Sequence, residues 1–325
     1  MPRPRKIKEE TQKSDNQFVM DEGVLHSLEG SRKELRAVMR SLYDFQDLRK
    51  RQANRLKRKV DGSEQDDNGT DTQMAPESID DLENCWNQVN GVEKEFLKVL
   101  TRKIKLFPEW NMFLKDVKGI GPLLASVLIC EIDIEEATTV SKIWQYAGMN
   151  PGLVPGKKPG KERGTYVVTG EMIRGDRPAA GFILPYNKFL KTKMLGVLAD
   201  CFIKAQSPYV KFYYDYKSRL ENENRVINGD PKGRKWNEPS EVPELDKDGN
   251  VKYKKKRNPE TGKMEVTDEV VMKSTGMGIH RDKAAKRYMV KMFLRDYYTN
   301  VRKMYGLEVR PPYEEEYLGR KHHVS

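Results

Sequence analysis

Gly119-Ile120-Gly121-Pro122 constrains this chain more than any other stretch. Two glycines one residue apart permit a tight turn that a Cβ would obstruct. Pro122 suits the first position of a helix, where its missing N–H costs nothing. Leu123, Leu124, Val127 and Leu128 then repeat at helical spacing. Lys115–Leu128 therefore reads as the turn and second helix of a helix-hairpin-helix. A helix start offers unpaired amides and a partial positive charge to a phosphate. The candidate DNA-backbone contacts here are Lys115, Lys118, Gly119, Ile120, Gly121 and Leu123. A plain corner inside a helical domain fits the same residues.

Charge favours the first reading. Lys and Arg number 60 against 49 Asp and Glu, a formal charge of +11. That balance suits a polyanion, most simply nucleic acid, with an anionic membrane surface as the competitor. No apolar run is long enough for a transmembrane helix. Met1-Pro2-Arg3-Pro4-Arg5-Lys6 is basic, but no apolar region follows it as in a secretory signal. Cys85, Cys130 and Cys201 lie far apart in apolar helical contexts and read as reduced, buried thiols. The expected location is cytoplasmic, on the nucleoid. His322-His323 reads as part of a solvated tail, and the sequence calls for no metal and no cofactor.

Hydropathy patterning divides the chain. Residues 1–30 read as a disordered basic arm. Residues 31–106 read as coiled-coil helices around a linker at 61–78. The first carries Leu35, Val38, Leu42, Phe45, Gln52 and Leu56 near heptad spacing and ends in a basic run, Arg49 to Lys59. The second carries Ile79, Leu82, Trp86, Val89, Phe96 and Leu100, with Glu93 breaking the row. An antiparallel hairpin and a homodimeric coiled coil both satisfy this spacing. Residues 107–223 read as the domain that holds the helix-hairpin-helix. Within it, Ser141 caps a short helix, Lys142–Ala147, which Gly148 closes. Residues 150–181 read as an extended or looped basic surface, with Lys157, Lys158 and Lys161 as candidate DNA contacts. Helices follow from about Pro185 to Ala205 and from Tyr209 to about Glu223. Residues 224–275 read as a mostly flexible insertion with room for one hairpin, because Asp248-Gly249-Asn250 is a turn signal, and with a basic cluster, Lys252–Arg257. Residues 276–325 supply a last helix, about Arg281 to Tyr305, and a tail. Lys283, Arg287 and Lys291 repeat every four residues on that helix, with Arg281, Lys286 and Arg295 nearby, an arrangement able to track phosphates.

Catalytic chemistry is harder to find. Glu131, Asp133, Glu135 and Glu136 form the densest apolar-flanked acidic group, and solvation of a helix end explains them better than a metal site. Ser126 sits where a small residue lets helices approach. Thr165, Tyr166 and Thr169 are the hydroxyls of the basic stretch, without an adjacent base. No P-loop or dinucleotide fingerprint occurs.

Gly119-Ile120-Gly121-Pro122, with Ala125, Leu128 and Glu131-Ile132, is followed by Ile143-Trp144-Gln145-Tyr146-Ala147-Gly148-Met149-Asn150-Pro151. This order resembles the C-terminal transposase domain of the insertion-sequence one-ten/one-sixteen/nine-oh-two family. The resemblance runs on through Asn187–Lys193 and Ala284–Leu294. It implies an RNA-guided recombinase, with a RuvC-like N-terminal domain holding a DEDD acidic set, a coiled coil, and a nucleophilic serine after the Tyr-Ala-Gly-x-x-Pro turn. This chain departs twice. Its first hundred residues look helical, and Gly152-Leu153-Val154-Pro155-Gly156-Lys157-Lys158 holds no serine. The expectation is a mainly α, DNA-binding, transposase-like protein without a catalytic set of its own. A guide RNA and a second copy of the chain are further expected partners. The rivals are a recombinase using Thr165, Tyr166 or Thr169, and an assembly protein whose basic charge is incidental.

Overall fold

A computed structural model describes residues 22–60, 76–227, 230, 233–246, 249–257 and 264–311. The fold is mainly helical, with few short strands. No helix among the described residues is long and apolar enough to cross a membrane. The chain forms two compact units, one of Met1–Lys115, Ala125–Val140 and Tyr297–Ser325, the other of Asp116–Leu124 and Ser141–Asp296.

The first unit begins with two long helices, α1 (Glu22–Val60) and α2 (Pro76–Ile104). Both start earlier than the arm and linker boundaries read from the sequence. They run antiparallel: Phe45 meets Phe96 at 5.0 Å, Arg49 pairs with Glu93, and Glu34 pairs with Lys103. The polar break at Glu93 thus answers a basic residue on the facing helix. Leu35, Met39, Leu42, Leu100 and Ile104 are fully buried. Met39 takes the inner position that heptad spacing gives to Val38, which is only half-buried. The hairpin arrangement occurs within one chain.

A short helix, α3 (Pro108–Met112), follows. It buries Glu109, whose Oε1 accepts hydrogen bonds from Tyr305 at 2.8 Å and from Arg32 at 3.4 Å. Burial pushes this carboxyl up, against the opposing pull of Tyr305 and Arg32. Helix α4 (Pro122–Glu131) is buried on every side from Leu124 to Cys130. It has no solvent face, as befits a helix without a polar stripe. Burial drives the Cys130 thiol up to about 12, which makes it inert. Cys85 is exposed, contrary to the reading of all three thiols as buried. At the end of α4, Glu131 pairs with Arg40 at 2.7 Å, and beyond it Asp133 accepts the amides of Glu135 and Glu136. The unit closes on Arg302, from the end of α9 (Met277–Met304). Arg302 is 5 % exposed and donates to the carbonyls of Ile134 (2.7 Å), Ala137 (3.1 Å) and Glu308 (2.6 Å).

The second unit contains α5 (Val140–Tyr146), an antiparallel pair β1 (Leu153–Pro159) and β2 (Tyr166–Arg174), then α6 (Lys188–Lys193). A π-helical turn (Met194–Leu198) joins α6 to α7 (Ala199–Lys204). Helix α8 (Val210–Glu221) comes next. Phe202, Tyr209 and Phe293 pack ring against ring at 5.3–5.4 Å, and the Tyr209 hydroxyl donates to Asp296 at 2.9 Å.

One expectation holds in its extended form and one is corrected here. The basic stretch after residue 150 is a β-ribbon with an irregularity between Pro155 and Lys157. The stretch read as a flexible insertion carries paired strands: β3 (Glu241–Pro243) with β6 (Met272–Ser274), and β4 (Tyr253–Arg257) with β5 (Met264–Val270). A two-stranded ribbon has two wet faces and needs few apolar residues, so its composition resembles that of a loop. The turn signal does operate, since the Asp246 amide donates to the Asn250 carbonyl and Gly249 has φ +86°; Asp248 itself lies outside the described residues. Arg281 ties the base of this region to α9. It is 4 % exposed and donates to the carbonyls of Trp236 and Glu238 and to Ser240. The C-terminal tail beyond Pro311, with His322-His323, also lies outside the described residues.

Replacing Arg302 by Met removes the donors to three carbonyls. The urea midpoint followed by circular dichroism is expected to fall by the equivalent of about 3 kcal/mol. A second prediction concerns acid. Arg234 forks onto Asp230 through Nε (2.9 Å) and Nη2 (3.0 Å) and holds its carboxyl down to about 2. A depressed carboxyl stabilises the fold above its unfolded value, about 3.9, and that stabilisation is lost as pH falls through the folded value. In thermal melts the gap between wild type and Asp230→Asn is expected to be full above about pH 5 and to close toward about pH 2.

Candidate nucleic-acid interface

The glycine-rich turn and the Tyr-Ala-Gly turn both belong to the second unit. Gly119 has φ +95°, and a Cβ there would stand 3.0 Å from the Phe202 ring and 3.1 Å from the Cys201 carbonyl. The turn is thus pressed onto α7 and cannot carry a side chain at this point. The Ile120 amide donates to the Val117 carbonyl at 3.1 Å, and the Ile120 side chain is buried. The Ile120 amide and side chain are thus both engaged within the protein and shape the turn. Lys118 and Gly121 are exposed, Leu123 is half-buried, and α4 begins at Pro122 as its missing N–H favours. Lys115 is also exposed, in the first unit.

Helix α5 starts at Val140, before Ser141, so Ser141 is not its cap. Its other end closes as expected. The Gly148 amide donates to Gln145, the Met149 amide donates to Trp144, and Gly148 has φ +66°. This is a Schellman closure. A Cβ on Gly148 would stand 2.7 Å from the Lys191 side chain and 2.9 Å from the Tyr186 ring. Asn187 fastens the same turn. Its amide donates to the Tyr146 carbonyl at 2.8 Å, its Nδ2 donates to the Tyr146 hydroxyl at 3.0 Å, and its Oδ1 caps α6 through the Leu190 amide.

Around this turn three cations converge on one aspartate, a cluster that sequence reasoning missed. Asp176 is 4 % exposed; Arg174 donates to both carboxylate oxygens at 3.2 and 3.3 Å, and Arg287 approaches at 3.6 Å. Lys191 donates to the Asp176 carbonyl at 2.5 Å and lies 4.2 Å over the Tyr186 ring. One carboxylate against three cations leaves a local positive excess. Burial lowers the Lys191 ammonium, Asp176 opposes that, and Arg287 and Arg177 lower it further. The sequence signal was Arg174-Gly175-Asp176-Arg177, a charged turn directly after the last residues of β2.

The other expected contacts fare unequally. Lys157, Lys158 and Lys161 are exposed on the ribbon or its tip. The row on α9 does not survive as a phosphate track. Lys283 is exposed, but Arg287 is turned to Asp176 and Lys291 lies 4.6 Å over the Trp144 ring. Arg281 is buried on carbonyls, Lys286 bridges Asp200 and Asp282, and Arg295 pairs with Asp296. Four-residue spacing aligns Cβ atoms, but the surroundings decide whether the charge reaches solvent. Within the basic cluster at Lys252–Arg257, Lys252 pairs with Glu244, and both Lys254 and Lys256 pair with Glu269.

For the candidate nucleophiles, Thr165 donates to the Glu162 carbonyl and Thr169 to the Gly156 carbonyl, while the Tyr166 ring lies under the Lys157 ammonium. Among the described residues no carboxylate or imidazole is set to take a proton from them. Nor do three His, Cys, Asp or Glu side chains converge as metal ligands among the described residues. Comparison with the models of known protein families, with curated proteins and with solved structures finds no match to this chain.

Gly148→Ala forces a side chain into left-handed backbone and into Tyr186 and Lys191. Its expected cost is about 2 kcal/mol, read from chemical denaturation. Gly121→Ala, where nothing stands within 4 Å of a built Cβ, is expected to cost less than half as much.

Proposed function

We propose that this chain is a DNA-binding, transposase-like protein that holds duplex backbone and lacks strand-transfer chemistry of its own. The observation that carries this is the surplus of positive charge in the second unit: three cations around Asp176, together with exposed Lys118, Lys157, Lys158, Lys161 and Lys283. In this reading the Gly119–Pro122 turn acts as a helix-hairpin-helix and presents its amides to a phosphate, with Lys118 beside it. The Asp176 cluster supplies the field that draws the polyanion in. Contacts to phosphate position a protein and carry no sequence information.

The resemblance to the insertion-sequence family supports the transposase-like part of the reading. The paired α1 and α2 correspond to that family's coiled coil, and the Tyr146–Gly148 turn to its motif. The absent serine supports the loss of chemistry. A guide RNA, a homodimer through the helical hairpin and a nucleoid location follow from the same resemblance and belong to the proposal.

Fluorescence anisotropy with labelled duplex between about 50 and 200 mM salt tests it. Affinity is expected to fall steeply with salt. Lys118→Ala is expected to reduce the log–log slope by about 0.9 and to weaken unrelated sequences equally. Binding that ignores salt, or no binding of DNA or RNA at the low end of the range, overturns the proposal and favours an assembly role.

A further inference from the structure

The β1–β2 ribbon sets apolar side chains and cations together in the open. On it Leu153, Tyr166, Val167, Val168 and Met172 are each more than half exposed. Among them stand the exposed cations Lys157, Lys158, Lys161 and Arg163, against the acids Glu162 and Glu171. Lys161 and Arg163, at the tip, have no carboxylate partner among the described residues, whereas Lys252, Lys254 and Lys256 are matched by Glu244 and Glu269.

The ribbon is also firmly rooted. At Gly156 its backbone lies so close to Phe182 that a Cβ would stand 2.7 Å from the ring. The Ile183 amide donates to the Lys157 carbonyl at 2.7 Å, and Lys158 lies 4.7 Å over Phe182. At the far end the Gly160 amide donates to Thr165 and closes the tip. A rooted strand pair with exposed aliphatics beside exposed cations, Lys158 reaching Glu171 at 3.7 Å and the tip cations open, fits a partner that is anionic at its edges and partly apolar between them.

We infer that this ribbon enters the major groove of duplex DNA. Lys157, Lys161 and Arg163 meet the phosphates that border the groove, and Tyr166 and Val168, which share a face of the ribbon with Lys157, meet base edges. The major groove is about 12 Å wide and admits a two-stranded ribbon. A strand of seven residues reaches about 23 Å at 3.3 Å per residue. Branched aliphatic side chains suit the thymine methyl, which only the major groove displays. A single-stranded ligand is less well served, because such sites stack successive bases on several aromatics and Tyr166 is the one aromatic of the two strands. The inference rests on the DNA-binding reading above and adds where the protein touches the bases.

The test uses the full chain and a mixed-sequence duplex several turns long. Saturating protein is expected to block dimethyl sulfate methylation of guanine N7. Val167→Ala, on the opposite face, is expected to bind as wild type, whereas Val168→Ala, at an exposed position that leaves the denaturation midpoint unchanged, is expected to weaken binding about fivefold. That loss should vanish on a duplex with uracil in place of thymine, which lacks the methyl. Guanine N7 left reactive, or a Val168→Ala variant that binds as wild type while Lys118→Ala weakens, overturns the groove inference and leaves backbone binding standing. No duplex binding by the wild type overturns both.

Discussion

The second unit depends on Gly119 lying against Phe202. The left-handed backbone at Gly119 and the missing Cβ let the turn settle on the ring and on the Cys201 carbonyl. Phe202 is in turn stacked on Tyr209 and edge-on to Phe293, so the turn is seated on the aromatic centre that joins α7, the approach to α8, and α9. A glycine pair that reads from sequence as an accommodation for a ligand is, at its first member, an accommodation for the protein itself. Only the second glycine, Gly121, stays open to solvent with nothing near its Cβ position. Any phosphate site at this helix start is therefore held rigid from beneath, as pre-organised binding requires.

Buried arginines carry a comparable burden. Arg302 in the first unit and Arg281 in the second each satisfy carbonyls of irregular chain, which has no ladder to do so. Neither charge is available to a ligand. A formal charge of +11 thus overstates the free cationic surface. Stability and binding draw on the same residue types, and only burial separates the two uses.

This explains what the sequence made legible. Helical spacing made α1, α2 and α9 legible, because a helix that buries one stripe must repeat it, while α4, buried all round, was legible from Pro122 at its start and the apolar run behind it. The Gly148 closure was legible because a Schellman end needs a residue tolerant of positive φ. Glu93 looked like a flaw in its row until Arg49 was seen opposite, since an ion pair between distant segments leaves no local trace. The ribbons were missed for the opposite reason: strands solvated on both faces lack the alternation that marks a half-buried strand. Asp176 was missed because its three cations come from Arg174, Lys191 and Arg287, which only the fold assembles.

The two long ribbons then bear on each other. Both carry lysines on solvated strands, and composition alone treats them alike. In β4–β5 the charges close on cross-strand carboxylates, the pattern that stabilises a pair of strands for its own sake. In β1–β2, Lys158 reaches Glu171 at 3.7 Å, while the tip cations have no such closure among the described residues and apolar side chains stand in the open between them. Both ribbons expose apolar side chains, Val167 and Val168 here and Met264 and Val266 there, and the cohesion of β1–β2 comes from the root at Gly156 and Phe182. The stability of β1–β2 is therefore supplied at its base, which leaves the composition of its outer half free to be set by what it meets.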